Sequence, residues 1–199
     1  MSNLKSRATR RAVVLTGVAG FGFATIGAYV MPALADPTPS CQDGDQATAA
    51  ETEGPYFVPN SPARTDLIEP GMPGRRLEVS GLVMSRHCEP VTRALIEVWQ
   101  ADANGKYDTE GFRLRGHLLS DDDGRYAFSS IVPGLYPGRT RHIHVKVQPP
   151  GRPVLTTQLY FPGEARNRAD SLFRPDLTLQ LVERDSRLAG RFDFVLDLR

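Results

Sequence analysis

At 199 residues, 40% of them hydrophobic, the chain is long enough for one domain with its own core. Its 24 Lys and Arg almost balance 23 Asp and Glu, for a formal net charge of +1, so no charge excess argues for a nucleic-acid or anionic-membrane partner. The two cysteines, Cys41 and Cys88, sit in no C-x-x-C or other metal-binding spacing.

Residues 1–35 contain no acidic side chain. Lys5, Arg7, Arg10 and Arg11 precede an apolar run from Ala12 to about Leu34, and Ala33-Leu34-Ala35 supplies a small-x-small cleavage pattern. The run is long enough for a membrane anchor, but its many Gly and Ala make it weakly hydrophobic and it ends at a cleavage pattern. So 1–35 reads as a cleavable signal peptide, with an uncleaved leader held in the envelope as the alternative. Thr9-Arg10-Arg11-Ala12-Val13-Val14-Leu15 is similar to a twin-arginine signal, which predicts a chain exported folded by the Tat route, secreted or cell-envelope associated. Loss of the leader removes four cationic side chains and leaves about 164 residues at a formal charge of about −3. Such a mature chain has neither a stretch for stable membrane insertion nor a basic patch for nucleic acid. In an oxidising compartment Cys41 and Cys88 are expected to pair, tying the N-terminal arm to the first β segment; the alternative is two free thiols.

Residues 36–75 read as an N-terminal arm and loop. The first fifteen are small and polar, a loose arm interrupted by Glu53-Gly54-Pro55-Tyr56-Phe57, a rigid turn whose two aromatics are too costly to leave in water. From Arg76 the pattern is strand after strand between turn signals. Leu77–Val83 alternates, as does Ala94–Trp99 before the turn Asn104-Gly105. Arg113–Leu119 follows, then an Asp121-Asp122-Asp123-Gly124 turn, Tyr126–Val132, a histidine-bearing strand, Leu155–Phe161, and finally Phe192–Leu198. The aspartate run lacks the twelve-residue EF-hand pattern and reads as a solvated turn. Only Asp170–Ser186 looks able to hold a helical turn or two. The fold class is therefore mainly β, an antiparallel β-sandwich of immunoglobulin or prealbumin type over 76–199, with a short peripheral helical segment.

The stretch Ile131–Val145, IVPGLYPGRTRHIHV, carries the chemistry. Thr140, His142, His144 and Lys146 alternate with Arg141, Ile143, Val145 and Val147. A period of two turns both imidazoles to one face while the aliphatic side chains face a core. An amphipathic strand with two exposed histidines would show the same alternation, so His-x-His alone does not make a metal site.

The segments ALIEVWQADANGKYD, FRLRGHLLSDDDGRYAFSSIVPGLYPGRTRHIHVKV and LTTQLYF together resemble the intradiol ring-cleavage dioxygenases, from about Cys41 to Phe161. TEGPYF and the Cys41/Cys88 pair are similar to the exported single-domain bacterial members. The resemblance implies one non-haem Fe(III) per chain, with Tyr107, Tyr136, His142 and His144 as its ligands. Hard phenolate oxygens suit a hard trivalent cation, and neutral imidazoles complete the set. It also implies a catechol-type aromatic and O2 as substrates, and a cis,cis-muconate-type diacid as product. Arg139 then stabilises charge on the ring, Gln158 is a hydrogen-bonding residue beside the metal, and Pro55 and Tyr56 line the pocket. Arg141 is the local rival for the arginine role, but alternation turns it to the Ile143 face. Tyr126 and Tyr160 read as core or edge aromatics, and His87 and His117 match no ligand position. Gln100 departs from the family, many of whose members have a histidine there. Members often pair through an N-terminal helical region, so a homo-oligomer is an open expectation.

Two other readings share these residues. A transthyretin-like exported binding module would share the sandwich without a reaction. An exported zinc or copper protein would use His142 and His144, but two tyrosines with no further histidine or thiolate suit those metals poorly.

Overall fold

A computed structural model describes residues 46–198. The expected signal peptide and the Cys41 end of the expected disulfide lie outside these residues; Cys88 itself is not a free thiol. Nine strands follow in chain order: β1 (Arg76–Ser85), β2 (Leu95–Trp99), β3 (Arg115–Leu119), β4 (Arg125–Ile131), β5 (His142–Gln148), β6 (Leu155–Tyr160), β7 (Gln180–Arg184), β8 (Arg187–Arg191) and β9 (Phe194–Leu196). They form two sheets. One runs β4-β1-β8-β7 with β9 also on β1, and the other runs β3-β2-β5-β6.

The sandwich is antiparallel in most pairings, but β8 and β9 both lie parallel to β1, one beyond the other along its length. The chain steps between them at Phe192 and Asp193, where Phe192 N–H donates to Ser80 O at 3.0 Å and Asp193 Oδ1 accepts Leu82 N–H at 2.8 Å. The expectation of a helical turn or two within Asp170–Ser186 holds in part. Pro175–Leu177 makes one 3-10 turn, Ala165–Arg168 makes another before it, and Gln180–Arg184 is a strand paired with β8. No helix among the described residues is long and apolar enough to cross a membrane.

Alternation decides what each face of the four-stranded sheet does. Ile96, Val98, Ile143, Val145, Val147 and Leu159 point inward and are fully buried against Leu77, Val79, Val83, Phe128 and Phe194 of the other sheet. The residues between them face outward. Their register aligns Arg115, Trp99, His144 and Gln158 in one row across β3, β2, β5 and β6, with His142 opposite Tyr160 in the next.

That outward face is covered by the segment before β1. Residues 46–50, expected to be loose, are tied down: Thr48 N–H donates to Val195 O and Glu51 N–H to Thr156 O, both at 2.8 Å. Further on, Thr157 and Gln158 side chains donate to the carbonyls of Ala49 and Thr52, and isolated bridges join Ala63 to His117 and Asp66 to Ser129. Leu67 and Met72 are buried in the core.

Candidate active site

Five separate segments meet over the outward row. His142 and His144 come from β5, Tyr107 from the β2–β3 loop, Tyr136 and Arg139 from the β4–β5 loop, Gln158 from β6, and Tyr56 from the N-terminal segment. The two loops are locked together. Asp102 Oδ1 accepts Asn104 and Lys106 N–H and its carbonyl accepts Gly105 N–H, which closes the turn before Tyr107. The same carbonyl accepts Gly134 N–H at 2.7 Å. Gly134 can approach this closely because it has no side chain: a Cβ there would lie 2.3 Å from Gly105 N and 2.6 Å from Ala103 O.

At the centre, Tyr107 Oη lies 3.0 Å from His142 Nε2, which lies 3.1 Å from His144 Nε2. His142 Nδ1 is 2.7 Å from Thr140 O, so it carries the proton and leaves Nε2 as a lone-pair donor toward the cluster. Both imidazoles are neutral. Burial lowers His142 to about 4, with the Thr140 carbonyl opposing the shift, and burial takes His144 well below the ordinary histidine range. Burial raises the Tyr107 phenol, with Arg139 and Arg115 pulling the other way. Left alone, this phenol stays protonated; a bound cation is what would ionise it.

Tyr136 joins the set from the side. Its hydroxyl is 2.8 Å from that of Tyr56, and its ring stands edge-on to Tyr107 at 5.8 Å between centroids. Tyr56 stacks on Tyr107 at 4.6 Å, and its own phenol is raised chiefly by the bond to Tyr136. Pro55, in the same turn, is exposed. Arg139 reaches in with three partners: Nε donates to Asp170 Oδ2 at 2.9 Å, while Nη2 donates to Gln158 Oε1 at 2.7 Å and lies 3.4 Å from Tyr160 Oη. Arg141 points elsewhere, with Nε on Glu164 at 2.7 Å and Nη1 on Pro133 O.

The donor set suits a hard trivalent metal. Two imidazole nitrogens about 2.1 Å from one ion and at right angles stand about 3 Å apart, close to the 3.1 Å between the two Nε2 atoms. An ion placed at this point would meet the Tyr107 phenol oxygen beside the two imidazole nitrogens. That combination favours ferric iron over zinc or copper.

Several neighbours gave no signal at sequence level. Trp99 stacks flat on His144 at 4.8 Å and 7° and fixes the ring's plane. Arg115, fully buried, donates from Nε and Nη2 to Asp108 O, next to Tyr107. Tyr160, read as a core or edge aromatic, is buried, and its hydroxyl donates to Leu172 O at 2.7 Å and adjoins Gln158. Its place two residues after Gln158, on the same strand face, is the signal that would have found it. Asp170 has no local motif at all. Gln158 also differs in emphasis from expectation. Its Oε1 serves Arg139 and its Nε2 donates to Thr52 O at 2.9 Å, so the amide couples the arginine to the N-terminal segment. Gln100 is buried, held by Ser130 Oγ and the carbonyls of Ile131 and Ala101. His87 is exposed, and His117 is anchored through Nδ1 to Ser61 O at 2.8 Å, away from the cluster.

Comparison with known proteins gives the family and the fold. The family model described as "Dioxygenase" matches residues 52–198. Hydroxyquinol 1,2-dioxygenase of Nocardioides simplex is 36% identical over 151 residues, 64% of this chain and 52% of its own length. The solved dioxygenase domain of a dioxygenase–carbohydrate-binding protein fusion from the cellulolytic bacterium Streptomyces sp. SirexAA-E is 55% identical. That match covers 77% of this chain and all of the domain, with a TM-score of 0.76. The 3-chlorocatechol 1,2-dioxygenase of Rhodococcus opacus 1CP aligns with a TM-score of 0.70 at 25% identity, over 76% of this chain and 73% of its own. The chain spans between about half and two thirds of the length of curated relatives it matches, from 52% to 66%. With the family model covering most of its length and the fold shared with these structures, the chain belongs to the intradiol ring-cleavage dioxygenases.

Proposed function

We propose that the chain cleaves a catechol-type aromatic between its two hydroxylated carbons with O2. Both oxygen atoms enter the product, a cis,cis-muconate-type diacid, so catechol plus O2 balances muconic acid with no added reductant. One non-haem Fe(III) is held by Tyr107, Tyr136, His142 and His144. The observation that carries this reading is the convergence of Tyr107 Oη with two neutral histidine Nε2 atoms beside a fixed guanidinium. The activities of the relatives, hydroxyquinol and chlorocatechol 1,2-dioxygenases, support the same substrate class.

Bound ferric iron supplies the charge that lowers the pKa of both catechol hydroxyls and leaves the ring electron-rich toward O2. The chain's residues do the rest. Tyr136 Oη would take one catechol proton and retain it through its 2.8 Å bond to Tyr56 Oη, and the second proton would leave to water. His142 and His144 stay neutral because burial disfavours their charged forms, and Trp99 and the Thr140 carbonyl hold their rings in place. Arg139 presents a permanent positive charge to the negative charge that grows on the ring, set in position before reaction. Pro55 and Tyr56 line the approach.

Export through the N-terminal leader, with Cys41 paired to Cys88, is part of the proposal. It places the reaction outside the cytoplasm, where plant-derived phenols are met; the carbohydrate-binding fusion of a cellulolytic bacterium fits such a setting. The test is iron content with a visible spectrum, before and after anaerobic catechol, followed by turnover under labelled O2. About one iron per chain, a red-to-purple band that shifts with catechol, and two labelled oxygens in the diacid are expected. Tyr107→Phe is expected to lose the iron and the band. A protein that stays colourless after ferric reconstitution would overturn the assignment in favour of a binding module.

A further inference from the structure

Arg139 brings a permanently charged side chain to the centre from a loop, and a guanidinium on a loop is useful only if its orientation is fixed. The loop does not fix it alone. Asp170, thirty-one residues later, lies between the two 3-10 turns with its side chain 3% exposed. Its Oδ2 accepts Arg139 Nε–H at 2.9 Å and Thr140 N–H at 2.7 Å, and its Oδ1 accepts Leu172 N–H at 3.0 Å. The carboxylate thus grips both the guanidinium and the backbone one residue beyond it. With Nε on Asp170 and Nη2 on Gln158 and Tyr160, Nη1 is the guanidinium nitrogen with no protein acceptor among the described residues. A buried carboxylate beside the arginine also dilutes its charge, an arrangement that makes sense only if orientation is worth more than field strength.

We propose that Asp170 is a positioning residue for the ring-cleavage reaction, one that orients Arg139 so that Nη1 is offered to the bound aromatic. The proposal rests on the functional reading above, because it acts through Arg139. The rival role for Asp170 is anchoring the segment 165–172 through Thr140 and Leu172. Asn167 provides the control for that role: it bonds Thr140 Oγ1 at 2.6 Å and Phe161 O at 2.9 Å in the same segment without touching Arg139.

The experiment is a double-mutant cycle on the iron-loaded full chain with catechol, using Asp170→Asn, Arg139→Ala and both together, with Asn167→Ala alongside. Loss of a preorganised charge donor costs roughly 100-fold or more in kcat, and that is expected for Arg139→Ala. Asp170→Asn is expected to lower kcat about tenfold or more with little change in KM. In the double variant, Asp170→Asn should add less than about twofold to the loss from Arg139→Ala, because its partner is already gone. Iron content and the visible band should be unchanged in all four, and Asn167→Ala should lower the thermal midpoint without lowering kcat comparably. Independent, multiplicative losses, or an active wild type matched by Asp170→Asn in kcat, would overturn the positioning role alone. A wild type that cleaves no catechol would overturn it together with the functional reading.

Discussion

At the scale of single residues, the cluster depends on side chains kept in one protonation state by burial and by a few fixed partners. Asp170 shows how such a group leaves a trace in stability. Burial alone would raise its pKa, but the amide N–H groups of Thr140 and Leu172, with the Arg139 guanidinium, outweigh burial and hold it below the ordinary carboxylate value. A carboxyl lowered on folding stabilises the folded state above its unfolded pKa, about 3.9. That contribution is lost as pH falls below that value and through the lowered folded one. Thermal midpoints measured from pH 6 down to about 2.5 should therefore fall more steeply for the wild type below about pH 4 than for Asp170→Asn. Parallel curves would mean that the carboxylate gains nothing from its partners. The same residue marks the limit of reading a site from sequence. The two-residue period put His142 and His144 on one face, and the family resemblance pointed to Tyr107 and Tyr136; the structure brings Tyr107 Oη and both histidine Nε2 atoms together. Asp170, Trp99 and Arg115 act across strands or at long range, where no spacing links them to what they touch.

At the scale of elements, β5 is the most informative strand, since one alternation serves core and site together. Ile143, Val145 and Val147 fill the sandwich while His142 and His144 face outward. Strands with one largely buried face were legible for that reason, β1, β2, β4, β5 and β6 among them. β7 and β8 were not. β7 is an edge strand with four of its five residues exposed, so no hydrophobic face shaped its sequence, and its pairing with β8 was hidden in a run that read as helical. Nor could alternation reveal the parallel pairing of β8 and β9 with β1, because period two is common to both directions. The loops behave differently, for Tyr107 and Tyr136 reach the site only because Gly105 and Gly134 bring two backbones together. Gly134→Ala would drive a methyl into Gly105 N and Ala103 O, and overpacking of this kind costs about 1–3 kcal/mol. Denaturant unfolding should show that loss. Iron per chain should drop with it, because relieving the clash separates the loops that carry the two tyrosines. Full iron retention at wild-type stability would show that the close approach is not needed.

At the scale of the whole molecule, the segment before β1 bridges the two sheets. It pairs with β9 of one sheet at Thr48 and with β6 of the other at Glu51, then turns over the outward face so that Tyr56 reaches Tyr136. The turn is held by a cation: Lys146 Nζ lies 3.3 Å from the Phe57 ring centroid and pairs with Glu53, and Phe57 stands edge-on to Trp99, which stacks on His144. Packing of the strap and packing of the histidine are thus one contact chain. Lys146→Met keeps an apolar stem over Phe57 and removes the charge, at a cost of about 0.5–2 kcal/mol for the cation–π contact. That energy holds the turn closed over the cluster and is spread little through the sandwich, so local opening should increase more than global unfolding. Cleavage at Glu51 and Glu53 by a glutamate-specific protease should accelerate several-fold, while the thermal midpoint moves by only a few degrees. KM for catechol should rise more than kcat falls, since Tyr56 loses its fixed place while the proposed ligands keep theirs. Wild-type cleavage rates at Glu51 and Glu53 would mean that the backbone bonds at Thr48 and Glu51 hold the strap unaided, and that the lysine is incidental to it.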